Sequence, residues 1–169
     1  MTKPRLLPDR ELFGILGSIP DRSALQSNWN KYFMNNKIDA FLDNYPTTKE
    51  NIHEMIIVHE KSCYVRPHKH FNKTESFHII EGKADVILFN EDGLIDQVIP
   101  MGEITTGRKF YYRLPPFRFH TLLIHSDVLV FHEITNGPFK LGDTILAPWS
   151  PEETDEYKVA KYITELKNL

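Results

Sequence analysis

The sequence predicts a mainly β protein in which a single barrel or sandwich fills the middle of the chain. Short apolar runs follow one another from His53 to Ile134, turn residues separate them, and no long helical pattern interrupts the series. A segment of helical and irregular character precedes this core, and a helix follows it.

The leading segment, residues 1–50, contains Asp9-Arg-Glu-Leu-Phe-Gly-Ile-Leu-Gly17, which reads as a short helix with Asp9 as N-cap and Leu12, Ile15 and Leu16 on one side. Leu25, Trp29, Tyr32 and Phe33 then recur at helical spacing in an Asn-rich stretch. With no cluster of ligating residues, this part is expected to cap the barrel or to reach a second subunit, and Tyr45-Pro-Thr-Thr-Lys49 reads as a linker.

The barrel is expected over residues 51–149. Strands are predicted from His53 to His59, Cys63 to His70, Glu75 to Glu81, Ala84 to Asn90, Ile95 to Pro100, Lys109 to Leu114, His120 to His125 and Val128 to Ile134. Asn90-Glu-Asp-Gly93 between two apolar runs reads as a hairpin turn, because Asp-Gly readily takes positive φ. Residues 150–169 read as a helix: Ser150-Pro-Glu-Glu153 has the form of a capping box, and Val159, Tyr162, Ile163 and Leu166 make an apolar stripe that should pack on the outside of a sheet.

Composition bounds the function. At 169 residues, 41% apolar and 12% aromatic, the chain has material for one well-packed core. A net charge of −3, with Lys and Arg scattered, gives no nucleic-acid footprint and no basic amphipathic stretch for a membrane surface. No apolar run approaches the ~20 residues that span a bilayer, and the first ten residues are too polar for a secretory signal, so a cytoplasmic protein is expected. Cys63 is alone, which excludes a disulfide framework.

The chemistry is concentrated in Arg66-Pro-His-Lys-His-Phe-Asn-Lys-Thr-Glu75 and in Leu114-Pro-Pro-Phe-Arg-Phe-His120. On a strand His68 and His70 share a face, and a short polar loop can bring Glu75 back beside them. His120, entered through Pro115-Pro116, supplies a fourth donor from a second strand. Three imidazoles and a carboxylate suit a divalent transition ion such as Fe, Mn, Ni, Co or Zn better than calcium, and crowded inside a barrel they would be costly without a cation. If the strand stays regular through Pro67, Tyr64 and Arg66 share the face of the two histidines, and Arg118 shares that of His120, so these are candidate ligand contacts. His78 should face away from the site, His53, His59 and His125 should be solvated at strand ends, and His132 should be a hydrogen-bonded core residue.

The pattern His-x-His-x4-Glu-x6-Gly, completed by Gly82 and followed by Pro115-x4-His120, resembles the two motifs of the cupin superfamily. Within it the chain is most similar to the WbuC-type metalloproteins, through Tyr64-Val-Arg-Pro-His-Lys-His70, Pro115-Pro116, Asn136-Gly137-Pro138-Phe139 and Ala147-Pro-Trp-Ser-Pro-Glu-Glu153, between about Ile52 and Glu153. The resemblance implies a double-stranded β-helix, or jelly roll, with metal on His68, His70, Glu75 and His120. It also implies a homodimer, a lining or salt-bridging role for Glu133, and a link to bacterial surface-polysaccharide biosynthesis. Ser62 and Phe117 depart from it, standing where glycine is usual, and a positive φ at Phe117 would be unfavourable.

The reading that follows is a metal-binding cupin acting on a small oxygen-rich sugar or sugar-derived acid by isomerase- or epimerase-like Lewis-acid chemistry. The alternatives are an iron-dependent dioxygenase and a non-catalytic module that binds a small anion.

Overall fold

Apolar residues alternate along most of the predicted strands, so each must bury one face, and two packed sheets satisfy that demand. The computed structural model describes residues 40–43, 49–138, 140 and 142–168. The helices expected before residue 40 lie outside them.

One sheet contains β1 (Ala40–Asp43), β2 (Ile52–Glu60), β9 (Val128–Asn136), β4 (Glu75–Glu81) and β7 (Tyr111–Leu114), in that order. The other contains β10 (Thr144–Leu146), β3 (His68–His70), β8 (Phe119–Ile124), β5 (Lys83–Phe89) and β6 (Ile95–Gly102). Neighbours are antiparallel, and the chain crosses repeatedly between the sheets, as in a jelly roll. The core lies between them, with Ile57, Phe77 and Phe131 facing Val86, Leu122 and Ile124.

The run Val86-Ile-Leu-Phe89 is continuously apolar because β5 is covered on both faces. Val86 and Leu88 point into the barrel, while Ile87 and Phe89 point outward under the C-terminal helix α1 (Glu156–Lys167). Leu166, Tyr162 and Ile163 of α1 pack there with Phe119, Leu123 and Trp149. Burying one such leucine is worth about 1.5–3 kcal/mol, enough to hold a helix too short to be stable alone.

Helix α1 begins later than the sequence suggested. Its N-cap is Asp155, whose carboxylate accepts the Lys158 N–H at 3.1 Å. The Ser150 hydroxyl is committed elsewhere: it donates to the Ala147 carbonyl at 2.8 Å and accepts the Arg66 Nε–H at 3.1 Å. The strand expected from Cys63 shrinks to His68–His70, since Pro67 has no N–H for a ladder and the Cys63 N–H turns back to the Glu60 carbonyl.

The hairpin at Asn90 forms as expected, with the Asn90 side chain accepting the N–H groups of Asp92 and Leu94. Gly82 takes φ +90, and a Cβ there would collide with Ser126 and the Val128 carbonyl. Phe117 does take a positive φ, +65, with its N–H donated to the His70 carbonyl and its ring edge-on to Phe71. Among the described residues no helix is long and apolar enough to cross a membrane.

Candidate metal centre

Strand β3 pairs with β8 so that His68 stands directly opposite His120, with ring centroids 4.3 Å apart. His70, on the same face of β3, has its ring 4.8 Å from that of His68. Glu75, the first residue of β4, comes from the facing sheet and is delivered by the loop of residues 71–74. Asn136 fixes that loop, accepting the Thr74 N–H and donating to the Asn72 carbonyl, each at 2.8 Å. One ligand atom from each of His68, His70, Glu75 and His120 lies within 4.8 Å of the other three.

The imidazoles are held from behind. His68 Nδ1 lies 2.8 Å from the Arg66 carbonyl, His120 Nδ1 3.0 Å from the Arg118 carbonyl, and His70 Nδ1 2.9 Å from the Thr144 hydroxyl. A proton on Nδ1 satisfies each contact and leaves the Nε2 lone pair directed at the shared centre, the arrangement that orients histidine on a metal.

On that inner side His70 Nε2 is 2.9 Å from Glu75 Oε1, and His120 Nε2 is 3.1 Å from Glu75 Oε2. These approaches lack hydrogen-bond alignment, and His70 Nε2 and Glu75 Oε2 are buried without a hydrogen-bond partner. Donors that share one ion at bond lengths of ~2.1 Å lie roughly 3–4 Å apart, close to what is seen. Three nitrogens and one carboxylate therefore form a site for a divalent transition metal.

Electrostatics agrees. Burial, reinforced by His120, lowers the His68 pKa to about 4, so the ring is neutral and available as a ligand at neutral pH. Burial would raise the Glu75 carboxyl, but His120 and His70 outweigh it and hold the group well below the usual carboxylate range.

The cluster opens onto a cavity of about 450 Å³. Glu133 lies in its wall on β9, directly between Met55 of β2 and Phe77 of β4 in the ladder. Protein surrounds its carboxyl, with some surface left open to the cavity, and burial together with the negative charge of Glu75 raises its pKa well above normal against the opposing pull of Lys73. Tyr64 also lines the cavity and donates its hydroxyl to the Pro151 carbonyl at 3.1 Å.

The two candidate arginines are not in the wall. Because the chain is irregular before Pro67, Arg66 turns to Ser150, and Arg118 pairs with Asp96. Their backbone carbonyls orient His68 and His120 instead.

His78 is exposed on the outer sheet face beside Phe110. His132 shares that outer face, half-buried and 3.9 Å from Glu54, rather than sitting in the core, because the parity of Val128 and Val130 points outward. His53 and His59 are buried rather than solvated, since they share the inward parity of Ile57 on β2. His59 Nδ1 lies 3.3 Å from the Cys63 thiol, and both line the cavity. His125 is half-exposed and pairs with Asp85 at 2.7 Å. Thr144 was not expected at the site. It follows Gly142 and Asp143 in a short strand whose three residues give no clear period.

Among solved structures, protein SO0799 from Shewanella oneidensis matches with a TM-score of 0.54 at 10% identity, over 69% of this chain and 82% of that one. The formate complex of oxalate decarboxylase from Lactobacillus farciminis matches with a TM-score of 0.50 at 19% identity, over 64% of this chain. The fold is that of the cupins. The likeness is one of fold, and the chain spans only 24–30% of the length of the oxalate decarboxylases it matches. Residues 42–101 match a family profile described as a domain of unknown function, DUF6016, a stretch that holds His68, His70 and Glu75 and stops before His120. No curated protein sequence matches the chain.

Proposed function

We propose that this cupin is a metal-dependent protein that binds a small oxygen-rich molecule, such as a sugar, in the cavity beside His68, His70, Glu75 and His120 and promotes proton transfer within it. The observation that carries this reading is the joint orientation of three imidazoles whose Nδ1 sides are occupied and whose Nε2 sides converge on one carboxylate. A bound divalent ion supplies Lewis-acid polarisation of a carbonyl or hydroxyl oxygen.

The chain's own residues supply the rest. The Glu133 carboxyl, in the wall opposite Phe77 and so two ladder positions from Glu75, is the group placed to take or give a proton. Phe77, Leu122 and Phe131 keep water from the inner wall. The sugar class, and a role in surface-polysaccharide biosynthesis, rest on the resemblance of Tyr64–His70 and Ala147–Glu153 to WbuC-type proteins.

Elemental analysis by inductively coupled plasma mass spectrometry tests the metal. About one equivalent is expected in the wild type and in His78→Ala, and none in the folded His70→Ala/His120→Ala double variant. Equal metal in all three would place the ion elsewhere. NMR in D2O tests the chemistry: hydrogen exchange at the carbon next to the carbonyl of simple aldoses and ketoses is expected with wild type and lost in Glu133→Gln. Exchange that persists in Glu133→Gln would remove that residue from the proton path.

A further inference from the structure

Helix α1 covers the outer face of the second sheet, where Ile87, Phe89 and Leu123 would otherwise meet water. The first sheet presents an apolar outer face as well. Ile57 of β2 and Leu129 and Phe131 of β9 face the core, so Val58, Val128 and Val130 point away from it. Val58 and Val130 stand opposite each other in the ladder, and Ile80 lies beside them at the β4 bulge, where Glu81 is the partner of Val130. Tyr111 of β7, opposite His78, and Phe110, edge-on to the His78 ring, extend the patch.

This patch is unevenly wet. Ile80, Val128, Phe110 and Tyr111 are 36–50% exposed. Val58 and Val130, at 4% and 2%, are closed off from solvent within a single chain, yet neither belongs to either core cluster. A valine standing upright on a sheet is shielded at its sides by its strand neighbours, and its tip needs a layer above it. Helix α1 is engaged on the opposite side of the barrel, so that layer comes from elsewhere in the chain.

The path of the backbone indicates where. Residues 1–39 lead into β1, which lies at the edge of this same sheet. Ala40 pairs with Val58 and Asp43 with Met55, so the chain enters β1 at the end of the sheet that carries Val58, Val128 and Val130. Upstream, Leu25, Trp29, Tyr32 and Phe33 recur at i, i+4, i+7 and i+8, the stripe of an amphipathic helix. The seven peptide steps from Phe33 to Ala40 reach at most about 25 Å. Strand β4, three places from β1 in the sheet, is only about 14 Å away at ~4.8 Å per strand. The stripe can therefore lie across β2, β9 and β4 of its own molecule.

We infer that the outer face of the first sheet is the docking surface for residues 25–33 of the same chain, packed over Val58 and Val130 as α1 packs over Ile87 and Leu123. The barrel is then clasped by a helix on each outer face. Strands β4 and β9 carry Glu75 and Glu133 on their inner side, so the clasp also backs the sheet that forms one wall of the cavity. The inference stands apart from the metal-site reading and does not depend on it.

The test is NMR on the full-length protein with isotope-labelled Ile, Leu and Val methyl groups. Nuclear Overhauser contacts are expected from the Trp29 indole and the Tyr32 ring to the methyls of Val58, Val130 and Ile80. An equal mixture of two differently labelled samples separates contacts within a chain from contacts between copies. Contacts seen only between copies would give the face to a second molecule, and contacts to other methyls, or none, would leave it without this occupant; either result overturns the inference. Trp29→Ala should lower the urea midpoint, and an unchanged midpoint also overturns it. The wild-type spectrum decides the matter even where the variant fails to fold.

Discussion

Thr144→Val separates orientation of a ligand from its mere presence. The substitution keeps the shape of the side chain on an exposed position of β10 and removes only the hydroxyl 2.9 Å from His70 Nδ1. His70 is then free to rotate about its terminal torsion, and its Nε2 spends less time facing Glu75. Loss of such an outer partner typically lowers metal affinity 10–100-fold. His68 and His120 keep their carbonyl partners here, so the lower end applies, about tenfold or about 1.4 kcal/mol. The assay is a competition titration of Co(II) against a calibrated chelator at constant pH, beside a melting curve of the metal-free protein. Affinity should fall about tenfold with little change in the metal-free melting temperature. Arg66→Ala, which removes a guanidinium but leaves the carbonyl bonded to His68, should change affinity less than twofold. An unchanged Thr144→Val, or an Arg66→Ala variant that loses as much as Thr144→Val, would refute the reasoning.

Acid should destabilise the metal-free protein. His68 has a pKa of about 4 when folded against 6.5 when exposed, so the unfolded chain binds the extra proton between those values. Stability is then complete above about pH 6.5 and is lost as pH falls toward 4, by roughly 2 kcal/mol between pH 7 and 5 from this group alone; urea midpoints that rise on acidification would contradict it. Gly82→Ala should lower the urea midpoint by the equivalent of at least ~2 kcal/mol, since positive φ adds to a collision with Ser126 and the Val128 carbonyl. Asp155→Ala should cost about 1 kcal/mol by removing the cap on Lys158 N–H, measured by the same denaturation, and no loss would mean that α1 starts elsewhere.

The parts of the fold legible in the sequence were those with a strong period or a demanding turn. Glu75–Glu81 emerges with the bounds that alternation suggests, and Asn90–Gly93 turns where Asp-Gly requires. The metal ligands were legible because two histidines at spacing two can only share a face. Errors arose where a side chain had two possible employers. Ser150 reads as a cap by its neighbours, yet its hydroxyl serves Arg66 and Ala147, and only the folded chain shows that Asp155 caps the helix. Arg66 looked like a ligand contact because the strand was assumed to continue through Pro67. His132 looked like a core residue because its neighbours are apolar, whereas that face of the sheet points outward. Strand β10 is too short to announce itself, so Thr144 went unseen.

Two of the three imidazoles are oriented by peptide carbonyls, those of Arg66 and Arg118. A scan of side chains would pass over both positions, because almost any residue presents the same oxygen. The control lies in the covalent chain itself and would yield to backbone chemistry rather than to mutagenesis. Replacing the amide that follows Arg118 with an ester, whose carbonyl is a poorer acceptor, should loosen His120 while every side chain in the protein remains as it was.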